Sequence, residues 1–75
     1  MKLTHDHLCA VGQALYGPAW QSQLARDLGV NLRTMQRWAV GEFNIPEGIW
    51  GEIATLCRRR GADLDKWADK LKPLA

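Results

Sequence analysis

The chain has 75 residues, the length of one small domain, and 47% of them are hydrophobic. No apolar run approaches the ~18 residues that a membrane-spanning helix needs, and two cysteines are too few for a disulfide framework. Since we also find no signal peptide, we expect a cytoplasmic protein without a membrane partner. The formal net charge of +2 excludes few other partners.

Five short helices are expected, because glycine and proline residues divide the chain and no segment alternates as a strand would. The predicted ranges, in chain order, are 5–16, 20–28, 32–40, 46–60 and 62–71. Thr4 and Asn31 are the expected N-caps of the first and third helices, and Pro46 suits the first position of the fourth. Gly61 is expected to end the fourth helix. The predicted fold class is all-α, with residues 1–75 in a single domain.

The last predicted helix, 62–71, has an apolar stripe made of Leu64, Trp67, Ala68 and Leu71. A core of four helices does not need this stripe. We favour contact between Leu64, Trp67, Leu71 and a second copy of the chain, since self-complementary patches are the commonest route to oligomers. The competing interpretation is that the helix folds back on its own core, where Trp67 fills a gap beneath the first helix.

Two of the predicted helices meet at a sharp turn within residues 21–40, which read QSQLARDLGVNLRTMQRWAV. Gly29 in this turn reaches positive φ without steric cost, and the small Ala25 lets the two helices approach closely. The apolar residues spaced to fill the angle between the helices are Leu24, Leu28, Val30, Met35 and Trp38.

The second of these helices has a polar face opposite Met35 and Trp38. Its side chains are separated by three and four residues and comprise Arg33, Gln36, Arg37 and Val40. Arginine is the best reader of guanine and glutamine of adenine, and a helix of ~10–12 Å diameter fits the major groove of DNA. The same residues therefore predict both a core-facing side and a base-reading side.

This segment resembles the helix-turn-helix of the phage repressor and Cro superfamily. The shared pattern is Gln21, Leu24-Ala25, Leu28-Gly29-Val30, Arg37-Trp38 and Gly41. The resemblance implies a lambda-repressor-like domain with its motif at residues 20–41. It also implies a homodimer that binds a palindromic operator in double-stranded DNA and represses transcription. Short phage or mobile-element regulators are similar in size, among them the repressors that accompany anti-CRISPR genes. We expect no cofactor and no small-molecule effector, because 75 residues leave no room for an effector-binding domain.

The resemblance also implies roles for individual residues. Gln21 would bond a DNA phosphate, and Leu32 and Arg33 occupy the main base-reading positions in the first turn of the recognition helix. Gln36 and Arg37 lie one turn further on, where base readers or phosphate contacts are found. Leu32 stands where a polar reader is common, so it either contacts a thymine methyl group or packs inward. The full set of predicted DNA-binding residues is Gln21, Asn31, Leu32, Arg33, Gln36 and Arg37.

Three other features have competing interpretations. The run Arg58-Arg59-Arg60 could hold phosphate, but we favour an interaction with the dipole at a helix C-terminus. A zinc site built from His5, His7, Cys9 and Cys57 is disfavoured. On a helix, His5 and Cys9 share a face from which His7 points away, and no CxxC pair exists. We expect no metal, and both cysteines as small buried hydrophobes. The four tryptophans, Trp20, Trp38, Trp50 and Trp67, are predicted to be core residues.

Two further classes of function stay open. The chain could be an antitoxin or adaptor whose main partner is a protein, or a DNA-binding module associated with a recombinase or excisionase. Enzymatic activity is not expected, because we find no Ser/His/Asp or Cys/His constellation with a third orienting group.

Overall fold

In the computed structural model, which describes residues 2–72, all regular structure is helical. Helix α1 is His5–Tyr16, α2 is Trp20–Leu28, α3 is Leu32–Ala39 and α4 is Glu47–Leu71; a 3-10 turn, Gly17–Ala19, joins α1 to α2. The predicted class, all-α, agrees with this structure. The prediction of five short helices is wrong, because the structure has four α-helices in this range.

The error lies in α4, a continuous helix of 25 residues. The sequence pattern predicts one helix that ends near Arg60 and another that begins at Ala62, with Gly61 as the break. A single glycine in a helix interior costs only ~1 kcal/mol relative to alanine, and no proline follows it in this stretch. Gly61 therefore does not end the helix. Pro46 is the N-cap of α4 rather than its first residue.

The core lies where α1, α2 and α3 meet the first half of α4. Leu8, Leu24 and Met35, one from each of the first three helices, are completely buried. Ile53 is the buried contribution of α4 among the described residues. The remaining buried hydrophobic residues are Trp20, Ala25, Trp38 and Ala39. Of the predicted core residues, Trp20, Leu24, Met35 and Trp38 are thus buried, whereas Leu28 and Val30 are half-buried.

Trp20 packs directly on the backbone of α1. A Cβ atom at Gly12 would overlap the indole ring of Trp20, so the absence of a side chain at this position creates the space for the ring. Gly12 is itself buried. The contact brings α1 and α2 together immediately after the 3-10 turn that joins them.

Four predictions, two about the tryptophans of α4 and two about the cysteines, are wrong or only partly right. Trp67 is 58% exposed and Trp50 half-buried, so neither is a fully buried core residue. Cys57 is exposed, and Cys9 is half-buried with its Sγ 3.5 Å from the carbonyl oxygen of Ala39. The last turns of α4 do not fold back on the core, because the helix runs straight on past it. No helix in the described range is long and apolar enough to cross a membrane.

A polar network joins α1, α2 and α4 at one edge of the core. The hydroxyl of Tyr16 donates a hydrogen bond to Oδ2 of Asp27, and the guanidinium of Arg60 lies 5.0 Å from the centre of the Tyr16 ring. Burial raises the pKa of Tyr16, and the hydrogen bond and negative charge of Asp27 act in the same direction; Arg60 opposes them.

Titration of Tyr16 tests this network, and its phenolate absorbance is unambiguous because the sequence has one tyrosine. We expect an apparent pKa above the usual 10.0. Because the folded-state pKa is the higher one, the contribution of Tyr16 to stability is complete below the unfolded-state pKa. It is lost as the pH rises through the folded-state pKa. The Asp27→Asn variant should titrate lower than the parent, and Arg60→Ala higher. Identical titrations in all three proteins would show that the network does not form.

The turn between α2 and α3 gives a second test. Gly29 has φ +72° and ψ +25°, and no atom lies within 4 Å of the position its Cβ would occupy. Any penalty for a side chain therefore comes from the backbone alone. We expect Gly29→Val to lower the free energy of unfolding by ~2 kcal/mol, since a β-branched residue disfavours the left-handed region. Gly29→Asn is the matched control and should cost less, because asparagine tolerates that region. Urea unfolding followed by circular dichroism would measure both, and equal losses would contradict the assignment.

Candidate nucleic-acid interface

Helices α2 and α3 and the three residues between them lie within residues 20–41, the segment for which the sequence predicts a helix-turn-helix. The left-handed Gly29 ends α2, and its backbone N–H is 3.2 Å from the carbonyl oxygen of Arg26. Asn31 is the N-cap of α3, and its Oδ1 accepts a 2.8 Å hydrogen bond from the backbone N–H of Thr34. This confirms the N-cap prediction. The side-chain oxygen of Asn31 thus caps the N-terminal end of α3.

The two sides of α3 differ as the sequence predicts. Met35, Trp38 and Ala39 are buried against the core, whereas Arg33 and Gln36 are exposed on the opposite face. Val40 is the C-cap and lies one residue beyond the helix, where it is 72% exposed. Of the predicted face, Arg33 and Gln36 are therefore exposed on this helix of 8 residues, whereas Arg37 is half-buried.

Leu32 begins α3 and is 43% exposed. Inward packing, one of the two interpretations of this residue, is therefore wrong. Its side chain lies in the same first turn as Arg33, so an apolar contact and a charged hydrogen-bond donor lie side by side at the start of the polar face.

Arg37 is held at the other end of α3 by residues that the sequence analysis did not identify. Its Nε lies 3.7 Å from Oε2 of Glu42, and its guanidinium lies 5.2 Å from the centre of the Phe43 ring. Gly41, with φ +79°, turns the chain back so that the backbone N–H of Glu42 donates to the carbonyl oxygen of Arg37 at 2.9 Å. The glycine that follows the helix was the available signal, since such a C-terminal turn places the next residues beside the last helical turn. Arg37 is thus less free to move than Arg33.

Gln21 lies in the first turn of α2 and is half-buried. Its predicted phosphate contact requires an accessible amide at this helix end. Gln21 and the exposed residues of α3 belong to neighbouring helices, which share one core cluster.

The basic run Arg58-Arg59-Arg60 has a different position from the one expected. Because α4 continues to Leu71, these residues lie in the helix interior, so a role at the helix C-terminus is wrong. Arg60 stacks on Tyr16, as described above, while Arg58 and Arg59 are exposed.

The histidines near the N-terminus have local partners. Nδ1 of His7 accepts a hydrogen bond from the backbone N–H of Thr4 at 3.0 Å, which supports Thr4 as the N-cap of α1. Nε2 of His5 lies 3.5 Å from the Asp6 carboxylate. Within residues 2–72, no three His, Cys, Asp or Glu side chains come together in a way that could hold a metal ion.

No protein-family model, curated protein or solved structure gives a significant match to this chain. The resemblance to the phage repressor and Cro superfamily therefore stays a prediction from the motif residues.

Proposed function

We propose that the chain binds double-stranded DNA in a sequence-specific manner by placing α3 in the major groove. The observation that carries this proposal is the division of α3 into two faces. Met35, Trp38 and Ala39 fix the helix to the core, and the opposite side keeps Arg33 and Gln36 exposed. A helix fixed on one side and polar on the other can enter a groove ~12 Å wide without losing its own packing.

Direct base contact is assigned to the first turns of α3. The guanidinium of Arg33 can donate two hydrogen bonds to guanine, and the exposed Leu32 next to it can contact a thymine methyl group. Gln36 can pair with adenine. Two other groups suit contacts with DNA phosphates, which position the protein on the duplex. They are the Arg37 guanidinium, held near Glu42 and Phe43, and the amide of Gln21.

Repression is the simplest outcome of such binding, because a protein that covers a promoter excludes the polymerase. One short recognition helix contacts only ~4–5 base pairs, which is too few to select a site among the competing sites of a genome. A homodimer on a palindromic operator doubles the contacted sequence. We place the dimer contact at Leu64, Trp67 and Leu71, three exposed apolar side chains in the second half of α4.

An antitoxin or adaptor is the second candidate function, and the same three exposed side chains favour it. An exposed apolar patch that no second copy covers is typical of a surface for another protein. A protein that stays monomeric in solution and does not distinguish DNA sequences would support this alternative. Association with a recombinase or excisionase is compatible with the DNA-binding proposal and differs from it in the choice of site.

Replacement of Arg33 tests the proposed base contact. A duplex is first selected from genomic DNA by binding to the protein, and a scrambled duplex of equal length serves as the reference. Arg33→Ala should lose about 1–3 kcal/mol of discrimination between the two duplexes, because a bidentate arginine–guanine contact is worth that much. Arg59→Ala is the control, since it removes the same charge from an exposed position outside the motif.

Competition binding at fixed salt measures these differences. We expect Arg59→Ala to leave the ratio of the two affinities unchanged. If Arg33→Ala weakens binding to both duplexes by the same factor, Arg33 contacts phosphate and the base-reading assignment is wrong. If the parent protein binds both duplexes equally, sequence-specific binding itself is wrong.

A further inference from the structure

The second half of α4 extends beyond the core. After Ile53 and the half-buried Leu56, every residue of α4 from Cys57 onward is exposed. At 1.5 Å per residue, positions 57–71 extend the helix by ~20 Å. The molecule is correspondingly elongated, with extents of 48 × 25 × 20 Å. The large apolar side chains on this segment, which we call the α4 extension, are Leu64 at 66%, Trp67 at 58% and Leu71 at 51% exposure.

These side chains form one stripe with charged residues on both flanks. At 100° per residue, Trp67 lies on one side of Leu64 and Gly61 on the other. Asp63 and Lys70 flank the stripe on the Trp67 side, and Asp65 and Lys72 on the Gly61 side. The structure supports this placement, since Nζ of Lys70 lies 5.1 Å from the centre of the Trp67 ring.

Among the residues that the structure describes, the flanking charges have no ion-pair partner. Within residues 2–72, the ion pairs are His5–Asp6 and Arg37–Glu42, and both lie outside the α4 extension. Each flank thus carries one acid and one base, seven residues apart, beside an uncovered apolar stripe.

This charge order distinguishes the two ways in which a second copy can cover the stripe. An antiparallel pair, related by a two-fold axis perpendicular to the helices, brings the same flank of both copies together. Asp63 then faces the partner's Lys70 when the two-fold axis lies between positions 66 and 67. A parallel pair instead brings opposite flanks together, so that Asp63 faces the partner's Asp65 and Lys70 faces the partner's Lys72. Opposite charges favour the first arrangement and like charges oppose the second.

We propose that two copies of this chain associate through an antiparallel pairing of their α4 extensions, with Leu64, Trp67 and Leu71 in the interface and Asp63–Lys70 ion pairs across it. The proposal rests on the homodimer of the proposed function and does not depend on DNA binding. The two-fold axis passes near residues 66 and 67, where Asp63 and Lys70 of the two copies come level.

The arrangement places the two cores at opposite ends of the pair. The distance along the helices between the Ile53 residues of the two copies, measured through the two-fold axis, is ~40 Å. Helix α3 precedes α4 in the chain and packs on the same core as Ile53. We therefore expect half-sites further apart than the ~34 Å of one helical turn of DNA.

Charge reversal in protein without DNA tests the direction of pairing. Asp63→Lys places lysine opposite the partner's Lys70, and Lys70→Asp places aspartate opposite the partner's Asp63. Each variant alone should associate about fivefold more weakly than the parent, because two favourable pairs become two repulsive ones. An equimolar mixture of the two variants should regain the parent's association, since every contact across the interface is then between opposite charges. High salt should reduce these differences.

Sedimentation equilibrium measures the association, and circular dichroism checks that each variant keeps its helix content. Trp67→Ala and Leu71→Asp should each weaken association at least about tenfold, since they remove or charge the apolar stripe. Ala62→Asp is the matched control on the opposite side of α4 and should have no effect.

Tighter association of Asp63→Lys would show a parallel pair. A parent protein that is monomeric at high micromolar concentration, or a Trp67→Ala variant that associates normally, would overturn the proposal. Each of these results leaves the test of DNA discrimination standing.

Discussion

The contact among Leu8, Leu24 and Met35 determines which side of α3 faces outward. Each of these side chains is completely buried, and each comes from a different helix. A helix of 8 residues is not stable in water on its own, so α3 exists because this contact holds it. The exposed positions of Arg33 and Gln36 follow from the same packing, since a helix buried along one stripe presents the opposite stripe to solvent.

The packing of α1 on α2 depends in turn on a missing side chain. Trp20 occupies the space over Gly12, where any Cβ would overlap the indole ring. Glycine costs helix stability at Gly12, and the burial of a large aromatic ring offsets that cost. The left-handed glycine at position 29 then sets the angle between α2 and α3. Two glycines thus orient the helix to which we assign DNA recognition.

Helix α4 serves two regions of the molecule with different chemistry. Its first half contributes Ile53 to the core, and its second half carries an apolar stripe outside the core. The proposed pairing with a second copy would cover that stripe and use the charges on its flanks. It would also hold two copies of α3 at a fixed separation, which couples the length of α4 to the spacing of the DNA sites.

Local sequence patterns determined much of this protein. The spacing of Leu24, Met35 and Trp38 predicted the core side of the motif, and Gly29 and Asn31 predicted its turn and cap, because caps and turns depend on neighbouring residues only. The end of the fourth helix at Gly61 was predicted wrongly, since a lone glycine weakens a helix by too little to break it. Only the tertiary structure decided that Trp67 lies outside the core and that Arg60 of α4 meets Tyr16 of α1. Both outcomes depend on the distances in space between packed helices. The spacing of residues along the chain does not give those distances.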